Sequence, residues 1–530
     1  MSAGFARQLR LLAGTLAVLS ASGCASLTGA WNVAPNGLAG DDDRLRRMLA
    51  GSEAPAAFQR VQKSAPADEM LHALYHGILA YHAGDWAESA RALDIAAHIA
   101  DERMTLSLSR AALSMVTSDL AQHYTPGRTE RLMIPYYAAL ARMRMGDVDG
   151  AAVEARRLSM LLQRFQDEGA DLAPALRATL RYVAGAIFAW SGDRNDADVA
   201  FRNAVALDAS LEPYRAGNGN GTVLVVLEQG FVAHRVEQGL AVMLLPEEVH
   251  AIAHGGGEDR TLASAFVAGR ILDYATRGPY GGRYDDRYAT RDYGTLHVPA
   301  PDRSLLPEAL RRTVTCTPAA TGATVTTAAT TVTDTTRTTT GTVTTTTRRT
   351  ERSQAVRDAT AERAECTEQD REVDDLPYLL RVAWPAYRSD YRVGPVRLMA
   401  GADTVSISRV ADISAGVLAD FEEERAAILA RTIARGTAKL ALTKGAERRI
   451  EEHNEVAGRI VGLLGNVGTA LLERADTRSW HLLPAGMSVL RVELPPGEHA
   501  LSVEVDGRRI DLGPVQVQAG GLVVVPSRAW

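Results

Sequence analysis

From about Met70 to Pro213 apolar residues recur at three- and four-residue intervals with little proline, a pattern that predicts a succession of amphipathic helices. The texture changes at Ala216–Gly221 (AGNGNG). Thr222–Leu227 is then a continuous β-branched apolar run, followed by a Gln229-Gly230 turn and Phe231–Val236, which predicts a strand pair opening a second domain. Thr261–Tyr274 has helical spacing. Beyond Pro377, YLLRVAWP and VGPVRLM read as strands, and two apolar helices follow, from Ala415 to Thr443 and from Ile450 to Glu473. The end is β again: Val489–Leu494, a Pro-Pro-Gly turn, Ala500–Val505, an Asp506-Gly507 hairpin turn, and Val515–Val525. The expected fold class is α+β.

The helical stretch carries a repeat. ALYHGILAYHAGDWAESARALDIA places Gly77, Gly84, Trp86, Leu93 and Ala96 at the offsets of a tetratricopeptide helix pair, and Tyr182–Ala204 repeats the pattern with Gly185, Phe188, Gly192, Ala197, Phe201 and Ala204. A weaker copy runs through Gly146, Asp147, Ala151 and Ala155. Small residues on a first helix let a second approach closely, while the Leu or aromatic of the second fills the groove. Each Gly-Asp pair, at 84–85, 146–147 and 192–193, is expected to end one helix in a left-handed conformation and to cap the next. Three such units make a short array whose concave face is expected to hold partners.

The first residues add a location. Arg7 and Arg10 precede an apolar run, Leu11–Leu19, and then small residues ending in Ser22-Gly23-Cys24, the order of a secretory signal. Cys24 after the cleavage point resembles the lipobox of bacterial lipoproteins, with Ala21 where that family usually has Leu. The resemblance implies removal of residues 1–23, acylation of Cys24 and, because Ala25 rather than Asp follows, delivery to the outer membrane, facing the periplasm. No later stretch holds 18 consecutive apolar residues, so no membrane span is expected after the signal. A net charge of −6 over 530 residues gives no support for nucleic-acid binding.

Thr313–Thr350 is nearly polythreonine and lacks the apolar content to offset chain entropy. Cys316 and Cys366 bracket it. Export exposes both to an oxidising compartment, so a disulfide and two unpaired thiols stand as the alternatives. The chain thus divides into a signal peptide (1–23), a flexible tether with a short helix near Asp43–Leu49 (24–66), a tetratricopeptide-like helical domain (67–213), two parts of a mixed α/β domain with a C-terminal β module (214–300 and 377–530) and a disordered Thr-rich insertion (301–376).

Candidate chemistry is sparse. There is no nucleophile elbow, HExxH helix, Walker loop or paired CxxC. His72 and His76, and again His250 and His254, have the four-residue spacing of metal ligands, but neither pair has an evident third ligand, and packing or surface roles are expected. Arg431, Arg435 and Lys439 form a basic stripe every four residues, suited to an acidic partner or lipid head groups, or neutralised within the chain by Glu422–Glu424. Asp476-Thr477-Arg478-Ser479-Trp480 joins the Gly458–Gly468 helix to the last strands. Its Asp, Arg and Trp suit either a turn fixed by an ion pair and a stacked ring or a recognition patch that includes Arg478 and Trp480.

VLVVLEQGFVAHRVE, RTIARGTAKLAL and ADTRSWHLLPAGMSVLRVELPPGEHAL together resemble a family of uncharacterised Gram-negative cell-envelope lipoproteins with an N-terminal tetratricopeptide region. The resemblance covers most of residues 70–530 except the Thr-rich insertion. It implies an accessory role in the envelope, in peptidoglycan or outer-membrane assembly, and transfers no catalytic residue, cofactor or metal. The expected function is a lipid-anchored scaffold that is not an enzyme and that binds envelope proteins through its helical repeats. The alternative is a periplasmic enzyme or glycan-binding protein with its site in the second domain.

Overall fold

A computed structural model describes residues 42–64, 68–110, 123–170, 172–212, 214, 219–277, 295–298, 305–307, 378–401, 403–408, 410–451 and 474–530. Cys24, Cys316, Cys366, the Thr-rich tract and the glycine-rich helix expected at Ile450–Glu473, apart from its first two residues, lie outside them. The described residues form an α+β fold with eleven helices and eleven strands.

Three helix hairpins build the N-terminal layer: α3 (Glu69–Ala83) with α4 (Trp86–Arg110), α5 (Arg128–Met145) with α6 (Val148–Asp167), and α7 (Pro174–Ser191) with α8 (Arg194–Leu207). Their joints follow the local chemistry of the Gly-Asp pairs. Gly84, Gly146 and Gly192 take φ of 84°, 75° and 86°, and Asp85, Asp147 and Asp193 each accept the backbone amide three residues on. A Cβ on Gly77 would stand 2.7 Å from the Leu93 side chain, and one on Gly185 would stand 2.9 Å from the Phe201 ring. Those contacts are the close approach that the repeat pattern requires.

Ahead of the hairpins, α1 (Asp42–Ala50) and α2 (Ala54–Gln62) replace much of the expected tether. Leu45, Leu49, Phe58 and Val61 are buried in the main core, so this part of the chain is folded. α1 lies where a short helix was expected near Asp43–Leu49; the tether reading missed α2 and the packing of both, because a nine-residue helix carries too few turns to show periodicity above a run of Ala, Gly and Pro.

The β part consists of three sheets. One runs β11 (Leu522–Ala529), β1 (Gly221–Gln229), β8 (Gly486–Leu494), β7 (Ala411–Asp412). A second runs β10 (Arg508–Val517), β9 (Gly497–Val505), β5 (Val396–Ala400), β6 (Asp403–Ser408). The third is β3 (Thr295–Val298), β2 (His234–Leu244), β4 (Tyr378–Arg388). The third sheet packs with α9 (Pro246–His254), α10 (Gly257–Arg277) and α11 (Ile413–Glu451).

Three sequence expectations change here. The strands after residue 221 do not pair with each other: β1 lies between β11 and β8, whereas β2, starting at His234, belongs to the third sheet. The Pro-Pro-Gly turn likewise links two sheets, and Val515–Val525 is two strands in different sheets, broken by Gly520 at φ 66°. In α11 the helix expected to stop at Thr443 continues to Glu451.

Strand β1 explains the layering. Alternate side chains face opposite ways, so Val223, Val225 and Leu227 join Leu490, Val503 and Val517 in the core between the first two sheets. Leu224 and Val226 point to the other side, where they share one core with Tyr137, Val183, Ile187 and Met487. The first sheet is therefore sandwiched between the second sheet and the helices, and every residue of β1 is buried. The helical layer and this sheet have a common core across the expected boundary at residue 213.

Candidate functional site

An extended segment, residues 474–480, runs along the inner side of the helix hairpins and is held largely through its backbone. The amide of Trp480 donates to Glu130 Oε1 at 2.8 Å; the amide of His481 donates to the Tyr75 hydroxyl at 3.3 Å. Arg46 from α1 donates to the carbonyl of His481 and, at 3.0 Å, to His234 Nδ1. Tyr75 also donates to Asp42 at 2.5 Å, and Asp42 lies 3.6 Å from His481. Desolvation, with Arg46 close by, drives His481 well below the usual histidine range and His234 to about 3, so both rings are neutral at pH 7.

The motif residues proposed for a partner surface are therefore interior ones. Trp480 has 0% exposure. Arg478 is buried, with both Nε and Nη2 donating to Asp476 at 2.8 Å and Nη1 lying 3.7 Å from Asp68. Asp and Arg two apart do fix the turn, while the indole anchors the segment between layers. The concave face expected to receive partners is filled by the chain itself, for α3, α5 and α7 are buried along most of their length.

The basic stripe of α11 also turns inward. Arg435 is 4% exposed beside Thr432, and Arg431 and Lys439 are half-buried. A helix that packs on β4, α9 and α5 hides more than one face, which a stripe read from spacing alone does not reveal. Arg431 lines a cleft of about 450 Å³ at the start of α5, together with Asp420, Glu130, Arg235, Tyr387 and Asp476. Here Asp420 accepts the amide of Thr129 at 2.7 Å and Glu130 accepts that of Gly127 at 3.0 Å, so both carboxylates cap α5. Burial raises Asp420 to about 6 despite that bond. Arg235 donates to the Tyr387 hydroxyl at 3.1 Å. Asp420 and Glu130 thus serve the fold here, and His123, Thr125, Glu423 and Glu424 also line the cleft.

His72 and His76 lie with ring centroids 5.8 Å apart, and His76 meets Glu88 at 2.7 Å, an acid from the next helix that linear spacing missed. Among the described residues no group of three His, Cys, Asp or Glu could hold a metal ion. His250 sits on α9; the side chain of His254 is outside the described set.

On the outer side of the hairpins, α4 and α6 flank α5 and leave a trough of about 460 Å³. Its floor is Ile134 and Pro135, and its walls are Ala97, Ala100, Val153 and Met160. Met160 is 67% and Val153 54% exposed, a pair of large apolar side chains seven residues apart on one helix face. Arg131, Arg156, Arg157 and Arg164 line it against a single acid, Asp101. Only the seven-residue spacing was legible in the sequence.

Fold and site together define an α+β protein whose helix-hairpin layer clasps its own C-terminal sheet and presents its outer face. No family model, curated protein or solved structure matches the chain.

Proposed function

We propose that this chain is a lipid-anchored envelope scaffold, held at the outer membrane through Cys24, that recruits an envelope protein through the outer face of its helix hairpins. The observation supporting it is the exposed apolar trough of Val153 and Met160, beside an inner face already occupied by residues 474–480. Exposed apolar surface of this kind, rimmed by charge, favours association.

The occupant is an acidic amphipathic helix. Small Ala97 and Ala100 leave room for a helix between α4 and α6, and Arg156, Arg157 and Arg164 suit carboxylates flanking its apolar stripe. Arg156 now pairs with Asp193 and Asp196, Arg157 with Glu154 and Arg164 with Glu168; the exposed pairs of Arg156 and Arg164 are worth about 0–1 kcal/mol and exchange readily for an incoming acid. No catalytic step enters this reading.

A photo-crosslinking residue at position 160 of the full chain, in cells, tests it. The expected result is one adduct that is competed by a synthetic Leu/Glu amphipathic helix, not by its Leu/Lys counterpart, and is lost when Arg156, Arg157 and Arg164 are all changed to Glu. Absence of an adduct, or one that survives the charge reversal, overturns the reading. Cys24→Ala should release the chain to the soluble periplasm.

A further inference from the structure

A separate cleft of about 460 Å³ opens where the α3–α4 joint and the end of α5 meet the last strand. Its base is a closed polar cluster. Glu228, in the helix-facing row of β1, accepts the Tyr136 hydroxyl at 2.9 Å and the Tyr137 hydroxyl at 2.8 Å, and lies 3.7 Å from Arg528. Arg528 in turn donates Nη2 to the carbonyls of Gly230 at 2.9 Å and Leu482 at 2.8 Å. Its Nη1 is 3.2 Å from His82 Nε2, and the guanidinium stacks 4.1 Å from the Trp530 ring. Since arginine stays charged, His82 is the acceptor and carries its proton on Nδ1.

Two features of the cleft are not used by that cluster. Trp86 is half-buried there, and among the described residues no aromatic ring or guanidinium stacks on it. Arg144 is exposed at the mouth, spending N–H groups on the Pro526 carbonyl at 3.2 Å and on the Tyr81 hydroxyl. Ser52 and Ser527 add hydroxyls.

The charge balance selects a ligand. Glu228 is neutralised by Arg528 and satisfied by two phenols, so Arg144 is the uncompensated charge and calls for one anionic group. A flat indole beside hydroxyls calls for a ring that is apolar on its faces and polar at its edge. We propose that this cleft binds a carboxylate-bearing sugar, with the ring on Trp86, the carboxylate at Arg144 and its hydroxyls toward Ser52 and Ser527. The site draws on residues 52, 86, 144, 526–528 and 530, none of which lines the outer trough.

The test titrates the purified full chain in detergent with digalacturonate, the neutral disaccharide maltose, and acetate, following tryptophan emission. Saturable change is expected with digalacturonate, at least tenfold weaker with maltose and with acetate. Trp86→Ala and Arg144→Ala should each weaken the uronate at least tenfold while the melting temperature stays within about two degrees of the parent. Arg144→Lys should recover part of the loss, as a charge-based contact allows. Lack of saturation with digalacturonate overturns the proposal, as do equal binding of maltose or acetate and unchanged binding in both folded variants. If either alanine variant melts early, protection of position 144 from arginine-directed modification by digalacturonate in the parent chain decides: protection supports the site, and its absence sinks it.

Discussion

The backbone amide of Trp480 donates to the Glu130 carboxylate at 2.8 Å, joining the last β region to the start of the second helix hairpin. The other Glu130 oxygen accepts from Tyr124 and from the Gly127 amide, so all three partners are donors. Glu130→Gln must turn its NH2 toward one of them. A loss of about 1–3 kcal/mol is expected. Trp480→Ala, which empties a fully buried site, should cost about 3–5 kcal/mol. Urea unfolding of the full chain measures both; a Gln variant as stable as the parent would show that this bond does not tie the layers.

Close helix contact predicts a second result. Gly77→Ala sets a methyl against Leu93, and Gly185→Ala sets one against Phe201, with an expected cost of about 1–3 kcal/mol each. Trimming the neighbour should relieve the clash. Leu93→Ala combined with Gly77→Ala is expected to lose less than the sum of the two single changes, and a strictly additive double-mutant cycle counts against the packing account.

Acid should weaken the seat of α1. Burial, with Arg46 at 3.0 Å, holds His234 at about 3 in the folded chain, below its unfolded value near 6.5. A depressed folded value means that this contribution is complete above about pH 6.5 and is lost as pH falls toward 3. His234→Gln keeps an acceptor for Arg46 and cannot titrate in this range. The fall in urea midpoint between pH 7 and pH 5 should be shallower in the variant; parallel curves would remove His234 from the explanation.

Asp420 gives a contribution of opposite sign. Burial raises it from 3.8 to about 6, so its share of stability is complete below about pH 4 and is lost as pH rises through 6. Asp420→Asn retains an oxygen for the Thr129 amide. Relative to the parent it should gain stability steadily from pH 4 to pH 7. A constant difference across that range would mean that Asp420 titrates as an exposed carboxylate does.

Residues close in sequence decided what could be read directly. The three Gly-Asp joints and the Asp506-Gly507 turn were legible because positive φ and capping are local: Asp506 and Gly507 take φ of 49° and 75°, as a tight hairpin requires. Gly77 facing Leu93 followed from the helical period for the same reason. The partners of β1 were not legible. A strand of period two fits any neighbour of matching length, and β1 passes over adjacent β2 to lie parallel to β11, 300 residues away in register, with Thr222 opposite Leu522. Burial on both faces then set the fate of Glu228, whose row faces Tyr136 and Tyr137 only because the helices cover that side. In the same way the sequence alone determined that Arg478 and Trp480 belong to a short polar-aromatic motif. Only the tertiary structure decided that they face inward, because the backbone of Trp480 and His481 finds its hydrogen bonds on Glu130, Tyr75 and Arg46, three side chains from distant helices.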